Sequence, residues 1–512
     1  MKQFVFESKQ KTVLLSGMAL GILCLVISYF YDVTGSSHTR FWTNLLQNSV
    51  FFTGIAFTMT FMLAATTTAY AGWHIVFKRI WEAMALFLPV GLIGLVIVGL
   101  GSYLHWHHLY PWAEKIDAVK DPILAGKSGF LNFGWYALSL GFVIVWFLFA
   151  RYFRTTSLNQ TMGLSDLKWY NKSQLWSATF LPIAGFSSAA AIWQWTMSLD
   201  AHWYSTMYAW YTTASWFVSA IAITVLLILY LKSIGHMHWV TTENLHDLGK
   251  FLFAFSIFWT YLWFSQYMLI WYANIGEETV YYRQRMGEFP VLFYGNLVMN
   301  FVLPFIILMR NDTKRKVGTL AFCSLLILFG HWWDFFQMTK IGPYKVAMER
   351  LHPKEEENKM AAKEIEKIKP LSQLSVTPQS ATPQSAETEA AAVVNEAERK
   401  AMPYESKINI VGTEKGTKVV KLADASEKVE TANAVVGWSA PGLDEIAERG
   451  KEGYFHYTPD TTIGFGLPGF PELGTFIGFL SLFVFATFSQ MAKAPLLPTN
   501  DPFIEESLHL VS

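Results

Sequence analysis

His331 and Asp334 stand three positions apart in a run of otherwise apolar residues, so on a helix they share one face. Imidazole titrates near neutrality, and beside a carboxylate it can relay protons. The same two groups can hydrogen-bond a quinone head group, or satisfy each other inside a helix bundle and only fix packing. An ionisable side chain in an apolar run is costly in lipid and is a functional candidate by default; Glu82 is the third such residue. Neutral polar residues in similar runs are Gln194, Ser265, Gln266, Asn296 and Asn300. Pro304 removes the donor that would bond the Asn300 carbonyl, which predicts a kink or a free acceptor there. Interhelical bonding is the commoner use of such residues, and a polar pathway the sharper one. Asp200, His202, Glu277 and Glu278 fall between apolar runs, where they can form a proton exit, a docking face or ordinary solvated charge. His105, His107 and His108 sit beside Trp106 with no Cys or carboxylate at ligand spacing, so they read as interfacial residues. His236 and His238 beside Trp239 read the same way.

These residues must be positioned by membrane helices. Of the 512 residues 52% are hydrophobic, 16% aromatic and 15% charged, far fewer charges than a soluble protein carries. Lys and Arg number 39, as do Asp and Glu, and the zero net charge argues against a nucleic-acid partner. Cys24 and Cys323 cannot make a disulfide framework or a four-thiolate metal site. Ten segments are long and apolar enough to cross a bilayer, at about 12–30, 50–72, 81–104, 130–150, 175–197, 207–231, 251–273, 289–309, 317–339 and 474–492. The first begins too late and runs too long for a cleaved signal peptide. With a cytoplasmic N-terminus, sixteen Lys and Arg lie in inner segments against six in the short outer loops. Both termini are then expected in the cytoplasm, and the segment 341–473 outside.

That segment differs in composition from the rest. A Glu/Lys-rich run precedes a direct repeat, TPQSA at 377–381 and again at 382–386, and 354–405 reads as a flexible linker. Ile408–Val411 and Lys418–Leu422 read as strands around a Gly-containing turn, and Gly464 to Gly474 as an extended lead-in to the last span. The segment carries no catalytic motif, and docking onto a neighbouring subunit is its expected use. His331 is the sole mid-span histidine, which excludes a haem held by two histidines of this chain. No GxGxxG fingerprint in a βαβ context, P-loop or CxxCH is present. The chain alone is therefore expected to bind no redox cofactor, nucleotide or metal.

Three stretches are distinctive: SLDAHWYST at Ser198–Thr206, FSQYMLIWYAN at Phe264–Asn274 followed by Glu277-Glu278-Thr279, and the tail APLLP at Ala494–Pro498 with Asp501-Pro502 and Glu505-Glu506-Ser507-Leu508. With them the ten spans and the tail resemble the ActF-type membrane subunit of bacterial alternative complex III, a quinol:cytochrome c oxidoreductase, itself similar to the NrfD and polysulfide-reductase anchor family. The segment 341–473 lies outside the resemblance. The resemblance implies an all-α polytopic membrane fold of two four-helix bundles, spans two to five and six to nine, with spans one and ten flanking. It implies a bacterial inner-membrane location among lipid, and partners that hold the haem c and iron–sulfur clusters: a multi-haem cytochrome c subunit, an iron–sulfur subunit and a second NrfD-like subunit, with a terminal oxidase as a further partner. The expected function is a cofactor-free integral subunit that scaffolds such a complex and conducts protons or binds menaquinone or another quinone. The competing class is a self-contained secondary transporter, for which Pro89, Pro182 and Pro304 show no clear half-to-half symmetry.

Overall fold

Backbone polar groups in hydrocarbon must be satisfied within their own segment, so the apolar runs have to be helices. A computed structural model describes residues 3–114, 121–163, 167–351, 408–414, 417–422 and 460–509. Among them ten helical spans are long and apolar enough to cross a membrane: Ser8–Phe30, Thr39–Thr68, Ile75–Tyr103, Phe133–Met162, Lys168–Leu199, Met207–Ser233, Thr242–Ala273, Pro290–Leu308, Val317–Leu351 and Phe470–Met491. The protein is an all-α, multi-pass membrane protein in this part of the chain. Spans two, three, four and five close into one four-helix bundle, and spans six, seven, eight and nine into another. Span two packs on spans six and nine, and span five on span six, which joins the bundles.

Span two is the most enclosed, with 89% of its most apolar window buried; span one, at 17%, lies against the outside of the bundles. Spans one and ten pair closely, and the pairing depends on small residues. A Cβ on Gly21 would come within 2.5 Å of the Gly478 Cα, so neither position has room for a side chain. Between lipid-embedded helices, close packing of this kind replaces the hydrophobic effect as the source of association.

Several spans run past the ends expected from hydropathy, and three of the extensions bring in charges that meet. Span two begins at Thr39 instead of near 50, span nine continues to Leu351 instead of ending near 339, and span ten begins at Phe470. The added turns carry Arg40, Lys340 and Glu472, charges that an apolar window rejects one at a time but that bond to one another in the fold. In span eight the helix widens to a π-helical turn at Val298–Val302, immediately before Pro304. The cause is the missing proline N–H, which leaves the Asn300 carbonyl without its helical donor.

The chain divides into two compact units, 1–353 with 457–512, and 354–456. In the second, strands Ile408–Glu414 and Thr417–Leu422 pair antiparallel, with Ile408 opposite Leu422 and Ile410 opposite Val420. The expected linker at 354–405 lies outside the described residues. In the first unit the C-terminal tail folds back over one membrane face. Asn500 Nδ2 donates to the carbonyls of Thr161 and Gly163 at 2.8 Å each, Lys78 Nζ bonds Asp501 Oδ2 at 2.8 Å, and Ser507 Oγ accepts from the Val76 N–H at 3.1 Å.

Candidate functional site

The centre of the second bundle is polar. Asp334 and His331 come from span nine, Asn296 and Asn300 from span eight, Tyr211 and Ser215 from span six and Trp259 from span seven. His331, Asp334, Asn296, Asn300, Ser215 and Trp259 are fully buried and Tyr211 almost so. Asn300 Nδ2 donates to Asn296 Oδ1 at 2.6 Å, and Asn296 Nδ2 donates to Asp334 Oδ1 at 2.7 Å. Tyr211 donates its hydroxyl proton to the same carboxylate oxygen. His331 Nδ1 is 2.9 Å from Ser215 Oγ, and the Trp259 ring stands edge-on to the imidazole with centroids 5.2 Å apart.

The bonding is incomplete in a particular way. Asp334 Oδ1 has two donors, whereas Oδ2 has no well-aligned partner, although Trp259 and Ser215 face the carboxylate. His331 Nε2 and Asn300 Oδ1 are likewise buried without a partner. Such atoms are few in stable proteins and call for an explanation. The approach of Asn300 also depends on Gly330 in span nine, because a Cβ there would lie 2.3 Å from Asn300 Oδ1.

The expected His331–Asp334 pair does not form. The two residues share a face, but no bond joins them; span six offers each a closer partner, Ser215 for the imidazole and Tyr211 for the carboxylate. The other expected residues are dispersed. Glu82, at the start of span three, is paired with Arg79 at 2.6 Å, and that guanidinium continues to Thr161 Oγ1 at 2.6 Å. Gln194 Nε2 donates to the Phe130 carbonyl at 2.6 Å, which ties the end of span five to the loop before span four. Gln266 is buried with its amide nitrogen unpartnered, and Ser265 is half-buried.

In the loops, Asp200 accepts from the buried Arg285 at 2.8 Å, and that guanidinium lies 3.3 Å above the Tyr281 ring. His202 bonds Asp121 at 2.7 Å at the surface. Glu277 is exposed and Glu278 half-buried, both in the first turn of helix Gly276–Gly287, where a carboxylate suits the helix dipole. Of the histidine group, His107 is buried and its Nε2 lies 2.9 Å from the Val98 carbonyl. Burial pushes His107 down to about 4. Among the described residues no three His, Cys, Asp or Glu side chains converge as a metal site.

Sequence reasoning missed Tyr211, Ser215 and Trp259. A signal was present: Tyr211, Ser215 and Ser219 recur at four-residue intervals, a hydroxyl stripe on one face of span six. It also missed a second buried cluster. Arg40 holds Glu472 through two bonds of 2.8 Å, Asn44 Nδ2 donates to Glu472 Oε1 at 3.0 Å, and Lys340 Nζ donates to Asn44 Oδ1 at 2.7 Å. This clasp joins spans two, nine and ten. No family model matches the chain, and no curated protein matches it.

Proposed function

We propose that this chain is a cofactor-free integral subunit of a bacterial inner-membrane quinol:cytochrome c oxidoreductase of the alternative complex III type. In this reading both termini face the cytoplasm. Partner subunits hold the haem c and the iron–sulfur clusters, and this chain scaffolds them and carries protons through its second bundle. The three sequence stretches quoted above support the assignment to such a complex. The observation that supports proton carriage is the half-bonded state of Asp334 and His331 in the interior of a membrane bundle.

Tyr211 and Asn296 fix Asp334 through one oxygen, which leaves Oδ2 as the atom where a proton is taken up or released. The bond between His331 Nδ1 and Ser215 in the same way leaves Nε2 as the second exchangeable atom. Two titratable groups held still at one atom and free at another can hand on protons; the same free atoms can hydrogen-bond a quinone carbonyl. The widened turn in span eight favours a second reading, a secondary transporter, because interrupted helices line the substrate sites of such proteins.

Purification from native membranes separates the two. Recovery with haem and iron in stoichiometric amounts is the expected result, and recovery of the chain alone favours the transporter. Within the assembled complex, Asp334→Asn and His331→Phe are expected to abolish proton translocation, with quinol oxidation recorded alongside. Unchanged translocation in both variants removes proton carriage from this chain.

A further inference from the structure

Two cavities lie one above the other where the bundles meet. The upper, of about 360 Å³, is formed by the loop before span four and the loop between spans five and six; Lys127, Phe130, Met197 and Trp203 line it. The lower, of about 570 Å³, is an apolar groove between spans five, six and seven, with Trp193, Phe186, Phe217 and Phe258 among its walls. They adjoin at Phe130 of the upper and Trp193 of the lower, whose rings are 6.3 Å apart. Along span six the groove reaches from Thr206 to Phe217. Eleven residues at about 1.5 Å each make a depth of roughly 16 Å, about half the hydrocarbon thickness of a bilayer.

The polar groups follow the same order. Lys127 Nζ donates to the carbonyls of Ala201 and His202 at 2.8 Å each and lies 5.2 Å over the Tyr204 ring, which leaves one of its three N–H groups without a hydrogen-bond acceptor. Among the described residues no carboxylate is within ion-pairing distance of this ammonium; Asp121 and Glu277 are the acidic groups that act on it. Trp203 is 6% exposed, stacks on Tyr281, and its indole N–H has no acceptor; the indole N–H of the half-buried Trp193 has none either. A cation and an unanswered donor therefore lie at the membrane surface, directly above an apolar groove one leaflet deep.

We propose that this seam binds one phospholipid from the leaflet on the side where span nine ends. The phosphate lies against Lys127, a phosphate or ester oxygen accepts from the Trp203 indole, and an acyl chain fills the groove down to the bilayer midplane. The site is independent of the redox assignment and would serve either reading of the function.

The test is native mass spectrometry of the full-length chain in its assembled state, delipidated and titrated with palmitoyl-oleoyl phosphatidylglycerol or with the diacylglycerol of the same chains. The native protein is expected to retain one phosphatidylglycerol and to bind the diacylglycerol more weakly. Lys127→Gln is expected to weaken phosphatidylglycerol about fivefold, the contribution of one cation near a lipid phosphate, and to leave the diacylglycerol unchanged. Gly185→Phe blocks the groove and is expected to abolish both; a Cβ at Gly185 meets no atom within 4 Å, and an unaltered thermal midpoint verifies the fold. Native-like binding in both variants overturns the proposal. So does equal affinity for the diacylglycerol, which would mean that the phosphate is not read. Displacement of phosphatidylglycerol by an equimolar isoprenoid quinone also overturns it, in favour of a quinone-tail site.

Discussion

Span nine carries two buried polar clusters six positions apart, and they are built on opposite rules. At Lys340 every charged atom is answered. Glu472 accepts from Arg40, from Asn44 and from the Gly469 backbone N–H at 2.9 Å; Arg40 also reaches the Tyr31 carbonyl at 3.0 Å, and Lys340 the Arg40 carbonyl at 3.3 Å. At Asp334 the bonds stop short, and an oxygen and an imidazole nitrogen are left over. A closed network of buried charge holds helices together and resists change. An open one holds its members in place while it keeps atoms available for chemistry. Burial alone does not tell the two apart, because Lys340 and Asp334 are both fully buried.

The largest expected effect follows from opening the closed cluster. Glu472→Gln leaves Arg40 and Lys340 buried without their bonded counter-charge, which costs about 3–5 kcal/mol when one partner of a buried pair is removed. Thermal unfolding in detergent reads this as a large fall in midpoint. Adding Lys340→Met is expected to recover part of the loss, because fewer uncompensated charges remain. A native midpoint for Glu472→Gln alone would show that the clasp is not what holds spans two, nine and ten.

Next in size is Gly330→Ala. Its Cβ would stand 2.3 Å from Asn300 Oδ1 and push that amide off Asn296, so that the bond chain to Asp334 loses its far end. Overpacking of this kind costs about 1–3 kcal/mol, and a reduced rate of proton translocation is expected with it. Retention of full translocation would place Asn300 outside the pathway.

The difference between the clusters also explains what the sequence makes legible. The ten spans follow from apolar length, and the widened turn in span eight follows from Pro304, since both depend on residues close in the chain. Asp334, His331, Asn296 and Asn300 stand out because each is a polar residue in an apolar run. Arg40, Lys340 and Glu472 do not, because hydropathy counts each charge against its span and cannot credit a partner up to 432 residues away. The same blindness to partners suggests a His331–Asp334 pair: spacing puts both on one face, and only the packing of span six shows that Ser215 and Tyr211 reach them first. Glu82 and Gln194 stand out for the same reason as Asp334 and are likewise bonded at one atom each, to Arg79 and to the Phe130 carbonyl, but the partner of Glu82 is a charge and Gln194 does not titrate. Residue type marks buried polarity; the kind of partner, charged or neutral, decides what it is for.

A third cluster, under the C-terminal tail, is readable by pH. His74 is buried against Thr66 Oγ1 at 3.1 Å, and burial, with Lys78 adding to it, pushes the imidazole down to about 3. Burial would raise the carboxyl of Asp501, but the charge and hydrogen bond of Lys78 outweigh it and hold the group below its usual range. For both residues the undocked state binds protons more readily, so acid favours release of the tail. The His74 contribution is complete above about 6.5 and is lost progressively as pH falls toward about 3; the Asp501 contribution is lost only below about 3.8. One pH unit below 6.5 corresponds to about 1.4 kcal/mol. Hydrogen exchange of the tail amides between pH 7 and pH 5 is expected to accelerate as pH falls, once corrected for intrinsic rates. Corrected exchange that stays flat over that range would mean that His74 does not anchor the tail.

The smallest stability effect is expected at the residue that matters most for function. Asp334→Asn keeps an oxygen in place to accept from Tyr211 and Asn296, and it removes a titratable group from the bundle interior. Only the unpaired position changes, from oxygen to amide nitrogen, so the thermal midpoint should stay within about 1 kcal/mol of native. Against the collapse expected for Glu472→Gln, whose partner Lys340 stands six positions along span nine and is as deeply buried as Asp334, that near-silence is the signature of an open cluster. If Asp334→Asn instead unfolds the protein as Glu472→Gln does, then Asp334 is a second clasp and the free oxygen has no chemical role. A native midpoint combined with lost translocation leaves proton exchange at that oxygen as the explanation.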